Sequence, residues 1–267
     1  MKDIISQLYF FIRNKKINKD IVINTLDDIN KLIDEITHNN VTNIQTANKI
    51  YRLWIPTEKV CMHGAFRYSG GWHPFISFLE KGVSELELFY KNFTPKNIAE
   101  MYSLREKEKG YNLPPWELPW IPRNIITKPA DEGGLSSEKH GVSYFGPVSP
   151  EKLKYERERL ITALESIKKM GYIPDKNNEI NGFFMEYNNN FIFFVRGGKH
   201  RSAVLSFLNY KRIPVVLKNA WPPIIYSSDS SKWELVQSND ISESLALKVF
   251  KSYFDLNGKK QYKKINN

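Results

Sequence analysis

The chain has 267 residues, of which 41% are hydrophobic and 13% aromatic, enough to bury the core of one large domain or two small ones. Its formal net charge of +10 favours an anionic partner such as a nucleotide, a nucleic acid, a phosphorylated glycan or a membrane surface. The single cysteine, Cys61, excludes an internal disulfide and a cysteine-rich zinc site. No apolar run approaches the ~18 residues that span a bilayer, and no export signal is evident, so we expect a cytoplasmic protein without a transmembrane segment.

Residues 1–110 are predicted to form a mainly helical N-terminal region. Apolar residues recur at helical spacing, and Thr25-Leu26-Asp27-Asp28 is typical of a helix start with acidic residues in its first turn. The helical pattern continues over residues 45–58. Thr94-Pro95 predicts a further start, with threonine as the cap and proline in the first position. One or two short helices are expected between Pro74 and Leu88.

Two stretches, residues 62–75 and 111–148, are predicted to be irregular. Residues 62–75 combine glycines and aromatic residues with His63 and His73. We favour simple packing of both histidines, but acid–base or ligand roles stay open, as does stacking of a sugar or a base on the aromatic side chains. Residues 111–148 form an irregular Pro/Trp-rich loop that cannot be a regular helix. Tryptophans should anchor this loop, and its glycine-containing part, residues 131–141, could approach a ligand.

Residues 149–255 are predicted to fold as an α+β domain, and residues 256–267 as a solvated basic tail. Capping residues, β-hairpin signals and turn residues define the elements of the domain. In chain order they are a helix from Ser149-Pro150 to Gly171, a hairpin around Asn188-Asn189-Asn190, a glycine turn, a helix to about Leu208, a strand over Ile213–Leu217 and a final helix from about Ser242.

The glycine turn is the strongest candidate for a binding site. Gly197 and Gly198 follow a buried strand and precede a helix, so the backbone can turn sharply and come close to a ligand. The start of a helix has free N–H groups and a partial positive charge, which suit an anion. Lys199, His200 and Arg201 add cationic donors at the same place. Phosphate fits this combination; the alternative is an ordinary strand-to-helix turn with solvated basic residues.

This Gly-Gly-x-His-Arg turn, followed by a small-residue helix and Ile213-Pro214-Val215-Val216-Leu217, resembles the ParB/sulfiredoxin superfamily over residues 149–217. Members bind nucleotide phosphates with this turn. They use the nucleotide for DNA partition with CTP, for repair of oxidised cysteine with ATP, or for phosphorylation of free serine. The resemblance implies a ParB/sulfiredoxin-like fold that binds ATP or another nucleotide, and we expect magnesium with it.

The resemblance also implies a role for the helix ahead of the hairpin. Arg159, Thr162, Ser166 and Ile167 have the spacing of a basic residue, two hydroxyl residues and an apolar residue in the sulfiredoxin pattern. Positions separated by three and by seven residues lie on one helical face, so the guanidinium and both hydroxyls could face one ligand. Arginine is suited to phosphate through paired N–H donors.

Two departures from the relatives restrict the activity. Lys199 stands where sulfiredoxin has its reactive cysteine, which excludes that chemistry. Gly197 stands where the serine kinases have an aspartate, so a kinase here needs another carboxylate to position the hydroxyl and magnesium. We expect Glu156 and His200 to be the catalytic residues, and no metal site formed by the protein alone. The carboxylates considered are Glu156, Glu186, Asp131 and Glu132.

These observations favour a nucleotide-dependent, kinase-like phosphotransferase acting on a small hydroxylated metabolite or on a sugar, the latter in surface-polysaccharide biosynthesis. Residues 62–75 or 114–122 would present the acceptor. The alternative is a nucleotide-binding ParB-like regulator or DNA-associated protein, which suits the net charge but lacks an obvious DNA-reading helix. A nuclease ranks last, because acidic residues and histidines do not cluster at a metal-binding spacing.

Overall fold

The computed structural model describes residues 17–38, 50–105, 107–122, 128–174, 179–218 and 221–266. These residues form a mixed α/β structure around an eight-stranded sheet. The strands are β1 (Ile17–Val22), β2 (Ile50–Pro56), β3 (Val60–Met62), β4 (Phe66–Arg67), β5 (Asn181–Tyr187), β6 (Asn190–Gly197), β7 (Arg212–Leu217) and β8 (Ile224–Tyr226). Their order is β1-β2-β7-β5-β6-β3-β4, with β8 also paired with β5.

Helices of very different length surround this sheet. They are α1 (Leu26–His38), α2 (Pro74–Lys81), α3 (Val83–Asn92), α4 (Ile98–Tyr102), α5 (Ser137–His140), α6 (Pro150–Met170), α7 (Lys199–Phe207), α8 (Glu234–Gln237), α9 (Glu243–Asp255) and α10 (Lys259–Asn266). Within the described ranges, none of them combines the length and apolarity needed to cross a bilayer.

The β5–β6 hairpin is the centre of the fold, and it confirms the prediction. Asn188 and Asn189 form its two-residue turn with φ angles of 50° and 58°, the left-handed conformation that a tight hairpin turn requires. Phe183, Phe184 and Phe193 are fully buried. The long helix α6 is also confirmed: the Ser149 hydroxyl accepts from the N–H of Lys152 at 3.2 Å.

The helix predicted over residues 45–58 is wrong where the structure describes it, because residues 50–56 form strand β2. Tyr51, Leu53 and Ile55 are buried while the residues between them are half-exposed, which is the two-residue period of a strand. Pairing with β7, Leu53 opposite Val215, decides the conformation. Strand β1, Ile17–Val22, also lies in the region predicted to be mainly helical. The predictions for residues 1–16 and 39–49 lie outside the described residues.

Two other boundaries differ from the prediction. Helix α4 starts after Asn97, not at Thr94-Pro95, because the Asn97 side chain accepts from the N–H of Glu100 at 2.9 Å. Residues 259–266 form a helix; its lysines at 259, 260 and 263 are exposed, but the helix is anchored by Gln261. The Gln261 side chain is fully buried and donates to the Gly64 carbonyl at 3.1 Å. Helix α1 does begin directly after Thr25, and two helices do lie over residues 74–92.

The strands of the predicted N-terminal region and those of the predicted α+β domain belong to one sheet. Strand β2 pairs with β7, and strand β3 pairs with β6. Buried residues of both regions belong to one hydrophobic core. The irregular loop is anchored as predicted by Trp120, which is 3% exposed and packs against Trp233 and Phe250. This shared sheet holds the end of β6, and thereby the glycine turn, in a fixed place.

Candidate anion-binding site

The glycine turn connects the centre of the sheet to the start of helix α7. Strand β6 ends at Gly197, and Gly198 precedes the helix with a φ of 85°, a conformation that favours glycine. The first-turn N–H groups of a helix have no acceptor within that helix. They carry the positive end of the helix dipole, so the turn presents donors to an anion.

We expect Gly198→Ala to destabilise the protein by about 1–3 kcal/mol, because alanine rarely adopts a positive φ. A Cβ atom at this position would also lie 2.9 Å from the Ile180 Cα. The matched control is Gly171→Ala, since Gly171 has a φ of 73° but open space around its Cα. Urea denaturation should show a larger loss for Gly198→Ala; equal losses would mean that the close approach to Ile180 costs nothing.

A cavity of about 260 Å³ lies at this turn, and its lining is mainly cationic. Five of the side chains are positively charged and two are carboxylates, so the cavity is suited to a negatively charged group. The lining residues are Glu132, Arg159, Glu179, Asn181, Arg196, Gly197, Gly198, Lys199, His200, Arg201 and Lys218.

A second cavity of about 660 Å³ shares part of that lining. Arg159, Gly198, His200 and Arg201 line both, so the two spaces adjoin each other along helix α6 and the start of α7. The remaining residues are one carboxylate, Glu158, and a mixture of hydroxyl, aromatic and apolar residues: Tyr155, Thr162, Ala163, Ser166, Ile167, Met170, Gly171, Tyr172 and Ile173. All eight predicted binding residues therefore line one or both cavities.

The predicted catalytic pair forms a buried hydrogen bond behind the cavities. The Nε2 atom of His200 lies 2.5 Å from Oε2 of Glu156, whose side chain is fully buried. Lys152 Nζ lies 2.9 Å from the other oxygen of Glu156 and donates to Glu132 at 2.6 Å. Phe75 stacks on the His200 ring with 4.8 Å between centroids. Glu156 lines neither cavity, so it orients His200 and does not itself face a ligand.

The charges in this network are set by burial and by the partners. Burial would raise the pKa of Glu156, but the interactions with His200 and Lys152 outweigh it and lower the pKa to about 2. Burial lowers the pKa of His200, so its imidazole is neutral near pH 7. Neutral His200 then donates its Nε2–H to the Glu156 carboxylate, which leaves Nδ1 with a lone pair.

Glu132 is the carboxylate that the irregular loop brings to the smaller cavity. Its oxygens lie 2.6 Å from Lys152 Nζ and 3.8 Å from Arg159 Nη1. Burial would raise the pKa of Glu132, but Lys199 and Lys152 keep it lowered. Glu186 and Asp131 are elsewhere in the fold, accepting from the backbone N–H groups of Asn189 and Ser137 respectively.

Lys199 has a neutral hydrogen-bond partner. Its Nζ donates to the Ser143 hydroxyl at 3.1 Å and lies 4.7 Å from the centre of the Tyr144 ring. Burial is the main reason why the pKa of Lys199 is lowered, to about 8. The side chain therefore changes charge just above neutral pH.

We expect the affinity for phosphate-containing ligands to fall as the pH rises through 8, the pKa of Lys199. An anion favours the charged amine, so binding takes up a proton, and the loss should approach about tenfold per pH unit above the pKa. Titration calorimetry at several pH values measures the affinity, and repeating it in buffers of different ionisation enthalpy measures the proton uptake. Lys199→Arg, which keeps its charge, should bind with little pH dependence; the same slope in both proteins would contradict the assignment.

The two histidines of residues 62–75 are packed, as the favoured interpretation has it. His63 Nε2 lies 2.8 Å from the Pro115 carbonyl oxygen, and His73 Nδ1 accepts from the N–H of Phe75 at 3.2 Å. Burial lowers the pKa of both to about 3. Neither this stretch nor residues 114–122 line the two cavities. The lining of these cavities does not support the prediction that one of these stretches presents an acceptor, and it stays a prediction.

Four residues that line the smaller cavity were not predicted from the sequence to bind a ligand. Arg196 directly precedes the glycine turn, and that position could have revealed it. Asn181 faces Gly197 across the β5–β6 pairing, while Glu179 and Lys218 come to the cavity only because β5 and β7 are neighbours in the sheet. No local pattern marks the last three.

No protein-family model matches the chain, and searches of curated proteins and of solved structures found no match either. The resemblance to the ParB/sulfiredoxin superfamily therefore stays a prediction. Among the described residues, no group of three or more His, Cys, Asp or Glu side chains could hold a metal ion.

Proposed function

We propose that the protein is a nucleotide-dependent phosphotransferase that transfers a phosphoryl group to a small hydroxylated acceptor. The observation that carries this proposal is the pair of adjoining cavities, one mainly cationic at a helix N-terminus and one lined mainly by hydroxyl, aromatic and apolar groups. A nucleotide has the same division, with charged phosphates at one end and an uncharged nucleoside at the other.

The phosphates would occupy the side of the smaller cavity nearest helix α7. There the N–H groups of the first turn can donate hydrogen bonds to an anion, and Arg159, Arg201 and Lys199 supply positive charge. Arginine can contact two phosphate oxygens at once, whereas lysine acts as a point charge. Because Arg159 and Arg201 also line the larger cavity, a phosphate chain can pass from one space to the other.

The nucleoside would occupy the larger cavity. Its volume of about 660 Å³ lies within the ~300–1,000 Å³ typical of small-molecule sites. Thr162 and Ser166 offer hydroxyl groups, and Tyr155 and Tyr172 offer aromatic surface. The lining mixes polar and apolar side chains, and it does not distinguish ATP from another nucleotide.

In the transfer step, the acceptor hydroxyl oxygen attacks the terminal phosphorus and the bond to the nucleoside diphosphate breaks. His200 is the group best suited to take the hydroxyl proton, since it lines both cavities and Nδ1 has a lone pair. Glu156 positions the ring. Magnesium is usually held by the phosphates with one or two carboxylates, and Glu132 and Glu179 are the carboxylates in the smaller cavity.

The test is a thermal-shift screen of nucleotides with and without magnesium, followed by an assay for nucleoside diphosphate release against a panel of hydroxylated acceptors. We expect stabilisation by a nucleotide, since a ligand of the native state raises the melting temperature. We also expect acceptor-dependent turnover that His200→Asn abolishes while nucleotide binding persists. Absence of nucleotide binding would overturn the proposal.

A nucleotide-binding regulator or DNA-associated protein is the second candidate, and the net charge of +10 favours it. The same screen separates the two. Nucleotide binding without turnover, together with salt-sensitive DNA binding in a gel shift that is lost in Arg201→Ala, would indicate the regulator.

A further inference from the structure

Arg196 occupies an unusual position in the smaller cavity. It lies on strand β6 directly before the glycine turn, and its guanidinium carbon is 4.4 Å from the centre of the Trp221 ring. The Nε atom is buried and has no hydrogen-bond partner among the described residues. A buried polar group without a partner costs free energy that a ligand can recover.

The other cations of this cavity differ from Arg196 in their partners. Arg159 lies 3.8 Å from Glu132, and Lys218 lies 3.9 Å from Glu179. Arg196 has no such ion pair within the described part of the chain, and its neighbour Lys199 bonds to the neutral Ser143. A positive group that faces a small cavity without an ion-pair partner is costly until an anion lies beside it.

The position of Arg196 also separates it from the proposed nucleotide path. Arg159, Gly198, His200 and Arg201 line both cavities, and Lys199 begins helix α7, whereas Arg196 lies on strand β6 and lines only the smaller cavity. If the phosphates enter from the larger cavity, the side at Arg196 is left for the acceptor. A space of about 260 Å³ that also receives the terminal phosphate has room for only a small acceptor.

We propose that Arg196 binds an anionic group of the acceptor, so that the acceptor is a small hydroxylated metabolite carrying its own carboxylate or phosphate. This inference rests on the proposed function and selects within it, because neutral sugars lack the group that Arg196 requires. The guanidinium binds the anionic group, and the acceptor hydroxyl points towards His200 and the terminal phosphate.

The experiment is titration calorimetry on the full chain saturated with magnesium and a non-hydrolysable ATP analogue. The probes are glycerol, glycerate and glycerol phosphate, which share hydroxyl groups and differ in charge. We expect at least one anionic probe to bind about 10- to 100-fold more tightly than glycerol. Which of the two does so distinguishes carboxylate from phosphate recognition.

Arg196→Gln should remove this preference and change the affinity for the ATP analogue no more than Lys218→Gln does, and Arg196→Lys should retain part of the preference. Lys218→Gln is the matched control, since it removes one positive charge from the same cavity, but a charge already paired with Glu179. Equal binding of charged and neutral probes, no binding of either anionic probe, or an equal loss in both glutamine variants would overturn the inference. Failure of the wild-type protein to bind the ATP analogue would count against the proposed function instead.

Discussion

Glu156→Ala is expected to lower the free energy of unfolding by about 3–5 kcal/mol, the cost of breaking a buried ion pair by removing one partner. Glu156 is fully buried, accepts a hydrogen bond from His200 and forms an ion pair with Lys152. Without it, the Lys152 ammonium keeps Glu132 as its ion-pair partner among the described residues, and the Nε2–H of His200 loses its acceptor. Urea denaturation at neutral pH measures the loss.

Glu165→Ala is the matched control, because Glu165 is exposed on the same helix. Its effect should be within about 0.5 kcal/mol of zero. If Glu156→Ala does not fold, Glu156→Gln keeps a hydrogen-bond acceptor for His200 while it removes the charge. Similar small losses in the Glu156 and Glu165 variants would contradict the buried network.

The same carboxylate gives stability a defined pH dependence. Its pKa is lowered from 4.5 to about 2 in the folded protein, so its contribution is complete above pH 4.5 and is lost as the pH falls towards 2. The stability of Glu156→Gln should therefore fall less steeply than that of the wild-type protein over this acidic range.

Lys199→Glu is expected to abolish nucleotide binding, with a loss of affinity greater than about 100-fold. The substitution reverses a charge at the start of helix α7, where the phosphates would bind, and adds a further carboxylate to the cavity that Glu132 and Glu179 line. Repulsion between like charges is strong in a partly buried cavity because the effective dielectric constant is low. Titration calorimetry with ATP and magnesium provides the measurement.

The control is Lys168→Glu, an equal reversal of charge at an exposed position on helix α6 that lines neither cavity. It should change the affinity by less than about threefold, since exposed charges beyond a Debye length are screened. Lys199→Gln should give an intermediate loss. If the two glutamate variants bind ATP equally, the phosphates bind elsewhere.

Local signals in the sequence were sufficient for the part of the chain around the site. The capping residues Ser149 and Gly171 predicted the two ends of α6. The run of asparagines predicted the turn of the β5–β6 hairpin. The glycine turn was recognisable because a buried strand, two glycines and a basic helix start occur in succession. These features depend on neighbouring residues, which a sequence displays directly.

Features that depend on distant pairing could not be predicted in this way. Strand β2 has helical-looking apolar spacing, but its partners β1 and β7 decide its conformation. Helix α10 resembled a solvated tail because nothing nearby in the sequence indicates that Gln261 reaches Gly64. Glu156 was predicted to be catalytic, and only the folded structure shows that it faces His200 and Lys152 instead of a cavity.

The most direct test of the account is to follow the backbone amide NMR resonances of the protein during titration with ATP and magnesium. We expect the largest shifts at residues 198–201, where the first-turn N–H groups of α7 would donate hydrogen bonds to the phosphates. Smaller shifts should follow along the face of α6 that carries Thr162 and Ser166. Unchanged resonances at residues 198–201, or shifts confined to the basic helix Lys259–Asn266, would contradict it.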